Sequence, residues 1–517
     1  MSAAAISIPA PQAAAEPRRV LITVCVMLAT IMQALDTTIA NVALPYMQGS
    51  LSVTIDQVNW VLTSYIVAAA IMTAPVGWLA VRYGRKRVFI IAAAGFTVAS
   101  VLCGAAQGIT DMVAYRMLQG VFGAGLVPLS QAVMMDIFPA EKRGQAMAIW
   151  GMGVMLGPIM GPTLGGWLTE YYTWRWVFLI NLPFGIATVA GLLFFMPDTK
   201  PREMRFDWFG FITLSLAIGV LQLMLDRGET LSWFESNEII IEAIVAGAAA
   251  YFFLAHTLTA EKPFIPVAIF RDWNFSLGVF FMFIVGILLL ASVALITPFV
   301  QNIMGYPVLD AGFLLGTRGV GTMISMMIVG RLLSYIDARI LIGIGMACST
   351  LSLWVMVGIS PDVSVFTIVW TSIVQGVGLG LIFVPLNTVA FATLPATLRT
   401  EGAAIWTLIR NLGSSIGVSI VIAQLTSTTT AMHARLAEYV TPFNLGMQLN
   451  PSPVLDPSTT TGVAMLDQLV SGQAAIIAYQ NDFLLMTLMG LVCVPLILAF
   501  KGQKKGAKAA PVATADH

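Results

Sequence analysis

Residues 139–150 of this chain read PAEKRGQAMAIW, and residues 395–406 read PATLRTEGAAIW. The two segments share a proline, an alanine, an arginine and a closing Ala-Ile-Trp at a constant offset of 256 residues. The same offset carries Gly157 onto Gly413 and Gly161 onto Gly417. Glycine and alanine match easily by chance in apolar sequence, but proline, arginine and tryptophan do not. The chain therefore contains an internal repeat, and the rest of the sequence can be divided around it.

The composition places this repeat in a membrane. Of 517 residues, 58% are hydrophobic and only 10% are charged, with 26 basic and 26 acidic side chains. Soluble domains carry about 25% charged residues, so most of this surface faces something other than water. The balanced charge also lacks the basic field that nucleic-acid binding requires. We expect an all-α integral membrane protein that contacts the lipid bilayer and binds no nucleic acid.

Stretches of about 20 apolar residues, the length that crosses a bilayer, occur fourteen times. The predicted spans, numbered 1 to 14 from here on, lie at 20–44, 57–80, 87–107, 111–135, 144–168, 174–196, 207–225, 239–257, 275–299, 310–333, 339–358, 364–392, 403–425 and 482–500. With a cytoplasmic N-terminus, twenty Lys and Arg residues fall on inside segments and three fall outside. This bias follows the positive-inside rule and predicts a multi-pass protein with both termini in the cytoplasm.

The repeat divides these spans into two lobes. Its two copies both lie on the inside, so the halves are parallel repeats related by an axis along the membrane normal, as in secondary transporters. The predicted organisation is a cytoplasmic tail (1–19), a six-helix lobe (20–196), a linker with two inserted spans (197–274), a second six-helix lobe (275–500) and a basic cytoplasmic tail (501–517). The polar outside segment 426–481 is either a tolerated surface loop or a docking surface for another protein.

Several kinds of chemistry have no signal in the sequence. The four cysteines and three histidines lack metal-ligand or redox spacing, and no phosphate-cradling G-x-x-x-x-G-K-[ST] loop for ATP occurs. No nucleophile–base pair stands out either. We therefore expect a protein that is not an enzyme and holds no metal or cofactor. Its energy must come from a source other than ATP bound to this chain.

Span 1 carries a carboxylate deep in apolar sequence. Gln33, Thr37 and Asn41 are spaced i, i+4, i+8 and share one helix face, with Asp36 beside it. A carboxylate within the hydrocarbon costs several kcal/mol and indicates a cavity, a partner or protonation. We interpret Asp36 as a proton-coupling residue and the three polar neighbours as lining a substrate cavity. A helix-packing ion pair is the alternative.

Span 4 supplies the candidate partner of Asp36. Arg116 is followed on the same face by Gln119, which we assign to the cavity. Arginine keeps its proton at accessible pH, so Arg116 can hold a carboxylate but cannot itself carry the proton. A purely structural anchoring role for Arg116 is nearly as plausible from sequence.

The second lobe offers polar residues for the other half of a cavity. The candidates share a position inside an apolar span, and they are Arg318, Gln375, Asn387, Trp406 and Arg410. The glycines near them, such as Gly413, are more often helix-packing contacts than ligand contacts.

Two further motifs lie in the first lobe. The inside loop after span 2 is basic around a glycine turn, and its candidate residues are Gly77, Arg82, Gly84, Arg85 and Lys86. It is either a topology anchor or a cytoplasmic gate, for which Asp136 is a candidate acid. Span 5 concentrates helix-kinking and small residues, namely Gly157, Pro158, Gly161, Pro162, Gly165 and Gly166, which allow close approach of a neighbouring helix.

These motifs together resemble the fourteen-span drug:proton antiporters of the major facilitator superfamily. The segment from Leu35 to Pro45 is similar to their first-span signature, and the loop from Gly77 to Lys86 resembles motif A. Arg116-x-x-Gln119-Gly120 resembles motif B, and the segment from Gly157 to Gly166 resembles the antiporter motif C. The resemblance covers nearly the whole chain and is strongest for the Emr-type branch.

The resemblance implies a major facilitator fold and proton-driven export of amphipathic toxic compounds from the cytoplasm across a bacterial inner membrane. It implies that Asp36 takes part in proton coupling and that Arg116 takes part in proton transfer or its control. It also implies a periplasmic membrane-fusion adaptor and an outer-membrane channel as partners, which would dock at 426–481. One departure is Val81, because motif A usually has an aspartate there, so the basic residues of the gate must find other acids.

Three other functions remain open at this point. A proton-coupled importer, or an exporter of one specific metabolite, would share the same spans and charges. A membrane receptor or scaffold that does not transport is disfavoured by the convergence of polar faces. The identity of the substrate and the number of protons moved are not encoded in any motif.

Overall fold

A computed structural model describes residues 16–139, 142–199, 201, 203, 205–261, 263–395, 398–441, 455 and 459–500. These residues are helical and contain no β-strand. The α-helices are Glu16–Leu51, Ile55–Thr73, Val76–Tyr83, Arg85–Ala105, Ile109–Gly123, Leu126–Ile137, Arg143–Tyr171, Trp176–Leu179, Asn181–Phe195, Trp208–Arg227, Asn237–Thr259, Trp273–Pro298, Val308–Leu332, Ala338–Met356, Val365–Ala392, Arg399–Ala437 and Thr460–Leu496. The predicted tails 1–19 and 501–517 lie outside the described residues, except for 16–19.

The spans follow the predicted order. Within the described ranges, twelve helices are long and apolar enough to cross a membrane, and two bent helix pairs bring the number to fourteen. One pair is span 2, which bends by 53° between Thr73 and Val76. The bend coincides with Pro75, which cannot continue the backbone ladder. The other pair is span 5, which bends by 41° near residue 162.

Helix packing repeats between the two lobes. Span 1 packs against span 5 as span 9 packs against span 13, and span 2 packs against span 4 as span 10 packs against span 12. The offset found in the sequence therefore corresponds to an equivalent arrangement of helices. The fold is an all-α bundle of two related lobes with two inserted spans.

The inserted spans 7 and 8 form a hairpin at the junction of the lobes. Span 7 (Trp208–Arg227) packs on span 8, on span 2 of the first lobe and on span 13 of the second. Leu214 and Ile218 share one apolar cluster with Ala70 and Leu408, which come from the two lobes. The insertion is thus part of the bundle rather than a separate domain.

Within the predicted loop 426–481, residues 426–437 and 460–481 are helical, whereas residues 442–454 and 456–458 lie outside the described residues. The helix of span 13 continues to Ala437, and the last helix already begins at Thr460. A helix of 39 residues is about 58 Å long at 1.5 Å per residue, about twice the hydrocarbon thickness. The two extensions pair with each other, since His433 and Asp467 lie 2.9 Å apart. We call residues 426–437 and 460–481 the outer hairpin.

The lobes contact each other at one end of the bundle. We call this the basic end, because it carries the loop 82–87 and Arg399, and the opposite end, which carries the outer hairpin, the outer end. Span 5 lies against span 10 near the basic end, where a β-carbon added at Gly144 or Gly330 would lie 3.0 Å from Leu333 or 2.9 Å from Ala148. The bundle is therefore closed at the basic end in this conformation.

Candidate functional site

Asp36 lies in a closed network inside the first lobe. Its side chain is 0% exposed. Arg116 donates to Oδ2 at 2.7 Å, and Gln119 and Asn181 donate to Oδ1 at 2.7 and 3.2 Å. The four residues come from spans 1, 4 and 6, so a single carboxylate connects three helices.

Arg116 is fixed by more than its ion pair. Its Nε donates to the carbonyl oxygen of Val61 at 3.0 Å, and its Nη1 also donates to Oε1 of Gln119 at 2.7 Å. The guanidinium lies 4.3 Å from the ring centre of Tyr65, a distance at which a cation and an aromatic face attract. Because removing one partner of a buried ion pair costs about 3–5 kcal/mol, this pair also holds the lobe together.

The remaining polar face of span 1 becomes more exposed towards the outer end. Gln33 is half-buried and donates to the hydroxyl of Tyr65 at 3.3 Å. Thr37 is half-buried and donates to the carbonyl of Ala34 in its own helix at 2.8 Å. Asn41 is exposed. Gln33 thus connects the exposed face to the ring that covers Arg116.

Three residues predicted to line a cavity lie elsewhere. Gln119 belongs to the Asp36 network described above. Asn387 is 0% exposed and accepts a hydrogen bond from Gln131 of the other lobe at 2.6 Å, so it lies in the contact between lobes. Trp406 is 1% exposed and packs in an aromatic core with Phe275 and Phe391. The spacing of polar residues along a helix shows which residues share a face, but it does not show which neighbouring helix covers that face.

Two arginines of the second lobe are half-buried and lack an acidic partner among the described residues. Arg318 donates to the hydroxyl of Ser292 at 2.9 Å and to the carbonyl of Leu289 at 3.1 Å. Arg410 belongs to span 13, and its backbone contacts Gly286 of span 9. Gln375 is buried. The second lobe therefore presents positive charge that no protein carboxylate neutralises in this part of the chain.

The glycines of span 5 pack against span 1. A β-carbon added at Gly157 would lie 2.1 Å from the carbonyl oxygen of Ala34, and one at Gly161 would lie 2.1 Å from Oγ1 of Thr38. Thr38 donates to the carbonyl of Gly157 at 2.9 Å. Gly165 contacts Ile39 in the same way, Gly166 is half-buried, and the side chains of Pro158 and Pro162 lie outside the described residues. These residues bring two backbones together beside Asp36.

The basic loop finds acids on several elements. Arg85 pairs with Asp136 and donates to Thr400 of the other lobe at 2.7 Å. Asp136 also lies 3.4 Å from Arg399 of the other lobe. These contacts join the lobes directly.

The rest of the loop packs around this junction. Arg82 lies 3.8 Å from Glu203, and Lys86 lies 3.6 Å from Asp198. Both acids belong to the linker, so these basic residues have acidic partners although position 81 is valine. Gly84 adopts a φ of +91°, which favours glycine. A β-carbon at Gly77 would lie 2.9 Å from Cα of Glu401 in the second lobe. Gly77 therefore allows close contact at the closed end.

Sequence reasoning missed two members of the site. Asn181 binds Asp36, and Ser100 accepts from both Gln119 and Asn181 at 3.1 and 2.9 Å. Asn181 and Ser100 are uncharged polar residues that the sequence analysis does not assign to the site. No cluster of metal-ligating side chains occurs in the part of the chain that the structure describes.

This architecture, a duplicated helical bundle with charged residues enclosed in its lobes, is that of a multi-pass membrane transporter rather than an enzyme. A family model described as the Major Facilitator Superfamily matches residues 26–418. The chain belongs to the Major Facilitator Superfamily.

Its relatives include exporters. The multidrug export protein EmrB of Haemophilus influenzae is 33% identical over 489 residues, covering 93% of this chain and 95% of that protein. EmrB of Escherichia coli is 33% identical over 483 residues, covering 92% and 94%. The fatty acid resistance protein FarB of Neisseria gonorrhoeae is 31% identical over 480 residues, covering 92% and 95%.

Among solved structures, the proton:xylose symporter XylE has a TM-score of 0.56 at 15% identity, covering 93% of this chain and 96% of that one. This likeness concerns the fold alone. The comparisons agree with the predicted family and with a transporter related to multidrug export proteins.

Proposed function

We propose that this chain is a proton-coupled antiporter that exports amphipathic or hydrophobic toxic compounds from the cytoplasm. The observation that carries the proposal is the Asp36–Arg116 pair, an ionisable carboxylate fully enclosed in the first lobe. A buried acid of this kind within a membrane bundle is expected to be functional. The similarity to multidrug export proteins supports the class of substrate.

In the proposed cycle, protonation of Asp36 changes the packing of the first lobe. A neutral carboxyl group loses its charge attraction to Arg116 and its strong charge-assisted hydrogen bonds. Because Gln119 and Asn181 hold the same carboxylate from spans 4 and 6, its charge is linked to the relative position of three helices. We propose that this change favours a rocker-switch movement of one lobe against the other.

The orientation follows from the charges. We propose that the basic end faces the cytoplasm of a bacterium, with the chain in the inner membrane and both termini inside. The contacts of Arg85, Asp136 and Arg399 then form the cytoplasmic gate, which is closed in this conformation. One proton moving inward through 100 mV supplies about 2.3 kcal/mol, enough for about a 50-fold gradient, and no bound cofactor is required.

The second lobe favours substrates with an acidic group. Arg318 and Arg410 both lie beside span 9, are half-buried and have no carboxylate partner in the described ranges. An amphipathic acid that enters between the lobes would supply the missing counter-charge. We therefore propose these arginines as substrate contacts.

The outer hairpin is the proposed docking surface for a periplasmic membrane-fusion adaptor, which would lead to an outer-membrane channel. Its helices extend beyond the length that the bilayer requires, and Met465 and Leu469 are 45% and 53% exposed on one helix face. Exposed apolar residues on a projecting helix suit contact with another protein.

The experiment that tests proton coupling replaces one carboxylate. In inside-out vesicles, Asp36→Asn should abolish substrate-driven proton release and uphill transport, because the variant cannot change its charge. Asp111→Asn is the matched control, since Asp111 is an exposed acid in the first turn of the helix that carries Arg116. Proton release is followed with a pH-sensitive dye, and insertion is checked by immunoblotting. Normal uphill transport by Asp36→Asn would refute the proposal.

A further inference from the structure

Span 14 contains a second carboxylate that the proposed cycle leaves unused. Asp482 is 0% exposed, and neither of its oxygens has a hydrogen-bond partner among the described residues. Asp36, by contrast, accepts from three side chains. The two buried acids lie in different lobes and in opposite electrostatic situations.

Neighbouring contacts give the depth of Asp482 in the bundle. The ring of Tyr479 lies 5.3 Å from that of Phe299 in span 9, and Gln480 donates to the carbonyl of Ile359 after span 11 at 2.9 Å. On the other side, Gly490 packs against Thr350. Asp482 therefore lies towards the outer end of the second lobe, enclosed by spans 9, 11 and 13.

No basic group on these helices neutralises Asp482. Span 9 has no ionisable residue between Trp273 and Pro298, and span 11 has Arg339 at its basic end and Cys348. From the contact of Gly490 with Thr350, antiparallel helices place Asp482 level with residue 358, about 15 Å along the axis from Cys348. Tyr479, one turn away, is the ionisable residue of span 14 that lies nearest to Asp482.

The ionisable residues of span 13 are also distant from Asp482. Its ionisable residues are Arg399 and Glu401 at the basic end, Arg410 in the middle, and His433 and Arg435 in the outer hairpin. His433 is level with Asp467, which places residue 418 level with Asp482 and Arg410 about 12 Å further along the axis. His433 itself is occupied by Asp467, about 22 Å from Asp482 along the helix.

An ionised carboxylate in this position would lack both a counter-charge and hydrogen-bond donors. Burying such a charge costs far more than burying the neutral acid, so the group takes up a proton instead. We propose that Asp482 is a second proton-binding site of this transporter, protonated in the conformation closed at the basic end. It would release the proton to water when movement of the lobe opens its surroundings. Its part in coupling rests on the proposed antiport, whereas its protonated state does not.

Infrared difference spectroscopy of the purified protein tests the protonated state directly. The spectrum of the wild type minus that of Asp482→Asn should show one carbonyl stretching band of a protonated carboxyl group at neutral pH. Asp482→Glu should keep such a band at a shifted frequency. Asp467→Asn, which changes an exposed acid on the same helix, should remove only a carboxylate band.

Two spectroscopic outcomes would overturn the inference. One is loss of an ionised carboxylate band in Asp482→Asn, and the other is a protonated band that appears only when sodium is withdrawn, which would indicate a cation site. Because this measurement needs no transport, its failure is distinguishable from a failure of the Asp36→Asn experiment. In inside-out vesicles supplied with ethidium, Asp482→Asn should then release fewer protons per transported molecule, while Asp36→Asn releases none. An unchanged ratio would also contradict the inference.

Discussion

The carboxylate of Asp36 accepts hydrogen bonds from Arg116, Gln119 and Asn181. These contacts connect span 1 to spans 4 and 6. The sequence predicted the pairing of Asp36 with Arg116, because each is an unusual charge in an apolar span. It could not predict Asn181 or Ser100, since polar uncharged residues are common near span ends and their partners are distant in sequence. Gln119 was assigned to the cavity rather than to the Asp36 network for the same reason.

Arg318 and Arg410, which have no acidic partner among the described residues, lead to a prediction about substrate charge. Arg318→Gln and Arg410→Gln should each raise the apparent KM for a fatty acid about tenfold, as expected for loss of a charge-assisted contact of about 1.5 kcal/mol. Transport of the cation ethidium should not weaken. Initial rates in inside-out vesicles measure both.

Arg331→Gln is the control for this comparison, because Arg331 is an exposed arginine at the basic end of the same helix as Arg318. Equal losses for the fatty acid and for ethidium would argue against an acid-binding role and for a structural one.

At the scale of single helices, span 5 shows how glycine determines a helix contact. The spacing of Gly157 and Gly161 recurs as Gly413 and Gly417, and the packing recurs as well. A β-carbon at Gly413 would lie 2.3 Å from the carbonyl oxygen of Phe283 in span 9, and one at Gly417 would lie 2.8 Å from Ile287. Equivalent glycines thus bring equivalent helices together in both lobes.

This contact predicts an effect of a single methyl group. Gly157→Ala should destabilise the protein by about 1–3 kcal/mol, the usual cost of overpacking, because the new β-carbon meets the backbone of Ala34. The midpoint of thermal unfolding in detergent measures the change. Span 1 must shift to accommodate the methyl group, so transport should fall as well.

Gly316→Ala is the matched substitution for this test. Gly316 lies in a membrane helix with nothing within 4 Å of its added β-carbon, and alanine is the better helix former by about 1 kcal/mol. It should leave the unfolding midpoint unchanged or raise it. Similar midpoints for the two variants would show that the close contact is not energetically important.

At the scale of the whole molecule, the two lobes meet at the basic end and the outer hairpin projects from the other. The duplication and the fourteen spans could be read from the sequence because hydrophobic length and charge bias depend on the bilayer rather than on tertiary contacts. The helical outer hairpin was predicted as a loop, because its polar composition conceals a helix that is stabilised by its partner helix.

The outer hairpin yields a prediction that separates docking from transport. Met465→Asp combined with Leu469→Asp should abolish resistance in intact cells, because two charges would disrupt an apolar contact with an adaptor. Transport in inside-out vesicles, which needs no adaptor, should remain normal. Growth in the presence of a toxic substrate and vesicle uptake are the two measurements.

A single Val463→Asp substitution controls for added charge, since Val463 is exposed on the same helix but lies on the opposite face. Loss of vesicle transport in the double variant would indicate damage to the fold. Full resistance of intact cells would contradict adaptor docking at this surface.

The sequence by itself determined the membrane class, the number and order of the spans, the repeat and the two charges most worth testing. Each of these depends on local hydrophobicity, charge or an identity between segments. Only the tertiary structure decided which polar residues share a site, that Asn387 joins the lobes, that the bundle is closed at the basic end, and that Asp482 has no hydrogen-bond partner among the described residues. These properties depend on which helix faces meet, and residues that are up to 256 positions apart in the chain, such as Gln131 and Asn387, become neighbours only when the lobes have packed.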